Sequence, residues 1–407
     1  MRFNKYIQEI GRSELLYCLG ISLYAVITIV RSGIVLPEAV SAVLEPRSSY
    51  IYYLAYLLCA LGFCTSLFRG IYSRICFLVL LAAGSLLTFY GSGSSQPFYF
   101  FFFILCAAPF SGRRILHFSL AVKAVMLVLV VLFSQAGIID DQMFDIDSRM
   151  RHGLGFQYAT YGPVLFFFLL LCYIFIRREA MTLLEYVILA AAAFYLYKMT
   201  NSRMAFFMSV LVLVFFFLLC RIGKGLHHFL MKFRYLYYLI PLLFAGGSIA
   251  ASYAYNDTAS FWVKLNDLLS GRLQLQQKAI RTYDWTLFGQ KIDWVGNVVR
   301  LQTGKEYNYV DNSYMHVGLE NGLLYLALAL LLYVVIMYRA WKADDLYLIW
   351  ITIFIMTISL TEPRLLELTY NPFPLLAFAD LRYLEKHDFA LTVLWKADLR
   401  AVNRRDY

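Results

Sequence analysis

The sequence predicts an all-α polytopic membrane protein, and its composition and the spacing of its apolar runs carry that reading. Apolar residues make up 61% of the 407-residue chain and aromatic residues 18%, while only 15% are charged, against about a quarter in a soluble domain. The apolar residues gather into runs of bilayer length, about 17 to 25 residues, separated by short polar clusters. The net charge of +10 raises the question of nucleic acid. The basic residues sit in short clusters between apolar runs, where the positive-inside rule explains them, so no nucleic-acid partner is expected.

The spans are expected near 15–31, 50–68, 75–91, 98–112, 115–134, 160–176, 183–200, 204–220, 235–254, 316–338, 346–361 and 372–384, which makes about twelve. The fourth and the last are short. The opening MRFNKYIQEIGRSE leads into the first run without an A-x-A-like cleavage site, so it reads as an uncleaved span. A single integral-membrane unit is expected over 1–407, with no separate soluble domain. With a cytoplasmic N-terminus, the inside segments carry Arg2, Lys5 and Arg12, then Arg69 and Arg74, Arg113 and Arg114, Arg177 and Arg178. Arg221, Lys224, Lys232 and Arg234 follow, then Arg339 and Lys342, and a basic cytoplasmic tail over 384–407. Alternate loops are basic, which favours an even number of spans and places both termini inside. The stretch RIGKGLHHFLMKFR reads either as a helix on the anionic inner leaflet or as a solvated loop.

The unusual polar clusters then fall on the extracytoplasmic side. They include a smaller loop over 135–159 and a large one over 255–315. At roughly sixty residues the large loop is far longer than a plain helix connection. Its Trp262, Trp285, Trp294 and tyrosines argue that it orders itself. The cysteines (Cys18, Cys59, Cys64, Cys76, Cys106, Cys172, Cys220) lie in or beside apolar runs with no CxxC pair, and read as packing residues rather than disulfides or metal ligands.

Several clusters could carry chemistry. SRMRHGLGF supplies Arg149, Arg151 and His152 just before a span. Arginines there could clamp a phosphate or merely snorkel to headgroups, and His152 could be a base or a structural donor. The acidic run before it, Asp140, Asp141, Asp145 and Asp147, lacks EF-hand spacing and reads better as a solvated loop than as a cation site. Arg203 in KMTNSRMAFF stands between two spans joined by almost no loop, and is expected to face a cavity unless it simply caps the hairpin. Arg272 in SGR and Asp311, Asn312, His316, Glu320 and Gly322 in DNSYMHVGLENG bracket the large loop. A carboxylate and an arginine at one mouth suit glycosyl transfer, although the same residues could cap helices. LTEPRLLE adds Glu362, Arg364 and Glu367. Pro363 could open a helix that the acids cap, or Glu362 and Arg364 could pair. No nucleotide-binding, zinc-hydrolase or serine-hydrolase motif is present, so ATP, dinucleotide cofactors and hydrolase chemistry have no support in the sequence.

Taken in order, RHGLGF, TNSR, SGR followed by KAIRTYDWTLFG, and DNSYMHVGLENG resemble the Wzy-type polysaccharide polymerases. Those belong with the O-antigen ligases in a superfamily of membrane glycosyltransferases. The resemblance covers about residues 145 to 370. It implies a GT-C-like, metal-independent glycosyltransferase in a bacterial cytoplasmic membrane, acting on undecaprenyl-pyrophosphate-linked oligosaccharides for capsule, exopolysaccharide or O-antigen. Partners would be membrane lipids, a flippase and a chain-length regulator. It implies Arg151, Arg203 and Arg272 as pyrophosphate contacts, and Arg149, His152, Asn312 and Arg364 are taken beside them as candidate substrate contacts. Asp311 stands where the ligases have His, which favours a polymerase and makes Asp311 the candidate base, with His316 and Glu320 as alternates. An O-antigen ligase is the nearest alternative. A non-enzymatic lipid-carrier transporter is the other, and it should place charges at mid-span, where only Lys123 and Lys198 stand out.

Overall fold

The structure, a computed structural model, describes residues 11–66, 71–146, 149–221 and 224–381. Arg2, Lys5, Arg69, Asp147 and the basic tail lie outside them, as do the side chains of Arg74, Asp145, Arg149, Lys224 and Arg234. The fold is mostly helical. The apolar runs become α1 (Arg12–Gly33), α2 (Glu38–Ser66), α3 (Ile71–Tyr90), α4 (Gln96–Cys106), α5 (Gly112–Gln135), α6 (Tyr161–Arg177), α7 (Leu183–Thr200) and α8 (Arg203–Leu219). A short helix, α9 (Lys224–Met231), leads to α10 (Arg234–Ala254). The large loop folds as α11 (Ser260–Leu268), α12 (Arg272–Tyr283), α13 (Asn297–Thr303) and α14 (Ser313–Glu320), ahead of α15 (Leu323–Lys342) and α16 (Leu346–Ile358).

Among the described residues, seven helices are long and apolar enough to cross a membrane, with α4, α8 and α16 as shorter apolar helices. Their outward faces suit lipid. On α8, Phe207, Leu211, Val214 and Leu218 are exposed in a stripe, while Met208, Val212, Phe216 and Leu219 are buried, the period of a helix with one face in the bundle. α6 is central, with nearly every side chain buried.

The segments expected outside meet at one end of this bundle. Val35 donates to the Gly155 carbonyl and Gln157 to Gly33, and Asn321 donates to Ser92. Those expected inside meet at the other end, where Arg114 pairs with Glu14 at 2.6 Å and Arg178 with Asp345 at 2.6 Å.

The last expected span is a correction. In its described part, 372–384 is a single 3-10 turn, Phe373–Ala377, and the LTEPRLLE stretch starts no helix. The chain nevertheless passes from one end of the bundle to the other between 363 and 380. Glu362 lies beside the large loop, whereas Asp380 exchanges hydrogen bonds with Phe110 and Gly112 at the far end of α5. Pro372 and Pro374 keep the residues just before them out of an α-helix, because proline lacks the donor and blocks the preceding turn. Irregular backbone at membrane depth survives only where protein satisfies it. Here Lys123 donates to the Leu368 carbonyl at 2.9 Å. Asn371 and Tyr333 both donate to Leu365, and Arg339 donates to the carbonyls of Leu376, Ala377 and Ala379.

The large loop has a small core of its own, in which Ala279, Ile280, Ile292, Val310, Met315 and Leu319 pack with Trp285 and Trp294. Gly322 fixes it to the bundle. Its φ is 92°, and a Cβ there would lie 2.3 Å from the Gly289 backbone nitrogen. Only glycine permits that conformation and that approach together.

Candidate functional site

At the end where the polar clusters meet, a cavity of about 330 Å³ opens between the large loop and the helix ends. Arg151, Arg203, Arg272, Arg300, Asp311 and Glu362 are its charged lining, joined by Tyr158, Thr160, Asn201, Asn297 and Tyr307. Four guanidinium groups face two carboxylates, an excess of positive charge.

Local sequence puts each group there. Thr200 is the last residue of α7 and Asn201 takes the left-handed conformation at φ 50°, a turn that asparagine tolerates. The chain therefore reverses within two residues and Arg203 opens α8 at the cavity. Ser270 and Gly271, both at positive φ, make the equivalent reversal before Arg272 opens α12. Thr160, which precedes α6, lines the same space. The N-termini of α6, α8 and α12 thus converge with the arginines, and helix N-termini carry the positive end of the dipole and unpaired N–H groups. The arrangement is built for an anion.

Arg151 arrives on a hairpin, β1 (Met143–Ile146) paired antiparallel with β2 (Arg149–His152). Asp141 fixes the turn after it, accepting from the Leu154 N–H at 2.7 Å and meeting His152 Nδ1 at 2.6 Å. His152 and Asp141 are therefore one structural pair beside the site, and neither lines the cavity. No cluster of metal-ligand type occurs among the described residues.

Arg272 Nε lies 3.1 Å from Asp311 Oδ2. Burial pushes the Asp311 carboxyl up, opposed by the Arg272 charge, although 27% of its side-chain surface remains open. Asn297 donates to the Tyr158 hydroxyl at 2.7 Å, tying the large loop to the start of α6. Arg203 makes no hydrogen bond or ion pair with any described residue, and its side chain stands exposed at the rim.

Other residues expected at the site are committed elsewhere. Asn312 is buried and caps α14, accepting from Tyr314 N–H at 2.9 Å and Met315 N–H at 3.1 Å. The His316 ring stacks on Trp294 at 4.9 Å and pairs with Glu320 at 3.1 Å. Trp294 also donates to Glu320, at 2.9 Å. Burial would raise the Glu320 carboxyl, but the His316 and Trp294 hydrogen bonds win and hold it low. Neither His316 nor Glu320 lines the cavity. Arg364 pairs with Glu367 and sits over the rings of Tyr161 and Tyr370, in a separate cleft beside α1 and α4. Conversely, Arg300, Tyr158 and Asn297 line the cavity without having been singled out in the sequence. Arg300 was one of many charges in a long loop, and nothing in its spacing marked it.

Compared with known proteins, the chain matches no family model, no curated protein and no solved structure.

Proposed function

We propose that the protein is a membrane glycosyltransferase of the polysaccharide-polymerase kind, resident in a bacterial cytoplasmic membrane with both termini inside. On this reading the cavity opens extracytoplasmically and holds the pyrophosphate of an undecaprenyl-linked oligosaccharide. The observation that supports it is the convergence of Arg151, Arg203, Arg272 and Arg300 with the starts of α6, α8 and α12 around one cavity at a bundle end. Arginine matches phosphate oxygens bidentately, and a lipid pyrophosphate would arrive at the depth of the helix ends.

In the reaction, a hydroxyl of a second lipid-linked unit attacks the anomeric carbon of the first. The bond from that carbon to the phosphate oxygen breaks, and its electron pair leaves with the lipid pyrophosphate. The arginines stabilise the charge that grows on the leaving group, the kind of preorganised electrostatic assistance that dominates many enzymes. A carboxylate of the mouth takes the hydroxyl proton. On this reading the irregular passage over 363–380 replaces a twelfth transmembrane helix, and the large loop is the acceptor-side wall.

Membrane vesicles supplied with the lipid-linked saccharide fraction of the native strain should yield a polymer ladder. Arg203→Ala and Arg272→Ala should each cut ladder formation at least about 100-fold, the cost of one such donor, and leave single units on the lipid carrier. A ladder of normal length from both variants would rule the polymerase out. Accumulation on the inner leaflet alone would favour a transporter, a role the structure supports poorly, because Lys123, the buried mid-helix charge, is bound to the Leu368 carbonyl.

A further inference from the structure

Glu362 follows the end of α16 and is buried, with 8% of its surface exposed, at the wall of the cavity. No helix begins there for it to cap. Arg364, its nearest cation in sequence, is turned to Glu367, Tyr161 and Tyr370. The Glu362 backbone carbonyl accepts from the Ser313 hydroxyl at 2.6 Å, which pins the main chain. Its carboxylate makes no hydrogen bond or ion pair with any described residue. Asp311 is the opposite case, in an ion pair with Arg272 at 3.1 Å.

We propose that Glu362, and not Asp311, accepts the proton of the attacking sugar hydroxyl, while Asp311 acts as a positioning residue that holds Arg272 toward the pyrophosphate. The proposal rests on the reading of the cavity as a glycosyl-transfer site. A general base needs a free lone pair facing the substrate and a proton affinity matched to the working pH. Glu362 has the first by position. Its surroundings supply the second. Burial, then the Asp311 charge, push its carboxyl up to about 7, against the pull of Arg272 and Arg364 and with a small push from Glu367. Arg151, Arg203, Arg300, Tyr158 and Tyr307 are the other titratable groups around the cavity. Burial pushes Asp311 up as well, but its oxygen is engaged in the ion pair with Arg272, whose charge opposes that rise.

The proton balance is simple. The hydroxyl proton passes to Glu362 as its oxygen bonds to the anomeric carbon, the pyrophosphate departs with the bonding pair, and Glu362 later releases the proton to water at the open mouth.

The test compares Glu362→Gln, Glu362→Asp and Asp311→Asn in vesicles given the same lipid-linked fraction. The wild type must ionise Glu362 to work, so turnover rises as pH passes about 7 and levels off above it. Glu362→Gln should lower turnover at least about 100-fold with KM within about threefold, the usual loss of a general base. Glu362→Asp should keep partial activity, with its pH limb displaced. Asp311→Asn should raise KM and keep a limb, moved to lower pH because the charge that helps hold the Glu362 carboxyl up is gone. Infrared pH-difference spectra supply a readout that needs no substrate. A protonated carboxyl band should disappear near neutral pH in the wild type and be missing from Glu362→Gln. An unchanged band in Glu362→Gln, or loss of the limb in Asp311→Asn with the limb kept in Glu362→Gln, would overturn the assignment while leaving the transfer reading intact. A wild-type protein that makes no polymer, with the band present, would overturn that reading and the assignment with it.

Discussion

The irregular passage over 363–380 and the polar cavity beside it both bring charge to the edge of an apolar bundle, and they treat it in opposite ways. Along the passage, cations from two neighbouring helices meet its backbone oxygens. Lys123 holds the Leu368 carbonyl, and Arg339 holds those of Leu376, Ala377 and Ala379 at 2.6–2.8 Å. At the cavity, Arg203 has no partner among the described residues and the Glu362 carboxylate has none either, so those groups are left for something that is not protein. A buried polar group left unmatched costs about 1–3 kcal/mol, and unmatched charge costs more. Arg203 tolerates this because it stands exposed at the rim, and Glu362 because its buried carboxyl keeps its proton up to about 7. Charge matched by backbone oxygen holds the passage together, while the cavity keeps Arg203 and Glu362 unmatched beside the Arg272–Asp311 pair.

That contrast can be broken most severely at Arg339. Arg339→Met would strand the three carbonyls, several kcal/mol in sum at the usual cost of each, and folded protein should be nearly lost in fluorescence-detected gel filtration. Arg203→Met should elute at wild-type yield. Equal yields from the two variants would remove the distinction between them.

A smaller effect sharpens the same comparison through pH. The Glu362 carboxyl sits above its ordinary 4.5, at about 7, so the folded state keeps a proton that the unfolded chain releases. The stability this group contributes is fully present below about 4.5 and is lost as pH rises through about 7, amounting to no more than about 3 kcal/mol. The wild-type melting temperature should therefore fall between pH 5 and pH 8 by more than that of Glu362→Gln. Parallel curves would mean that Glu362 is not held above its ordinary range.

Much of the fold was legible because hydrophobic runs of bilayer length leave few alternatives. The order within the large loop was legible from its tryptophans, two of which now pack against its core. The passage over 363–380 was not, although its prolines were in view, because an apolar run shows length and not whether other side chains will satisfy a broken backbone. At the site, the near-absence of a loop before Arg203 was legible, since an arginine between two spans has few places to point, whereas the start of α12 at Arg272 was not read from the sequence. Side-chain commitments were hidden. Asn312 turned to its own helix, His316 and Glu320 turned to Trp294, and Glu362 proved unpaired where pairing with Arg364 had been one expectation. Each of those outcomes depends on a partner distant in sequence.

The central claim is that the cavity receives a lipid pyrophosphate, and the most direct measurement is native mass spectrometry of the purified protein with undecaprenyl pyrophosphate, which requires no knowledge of the sugars. The wild type should retain the lipid, while Arg203→Ala and Arg272→Ala should bind it at least about tenfold more weakly, the loss of one charge-assisted contact of about 1.5–3 kcal/mol. Equal retention by all three proteins, or by undecaprenol lacking the pyrophosphate, would contradict the account.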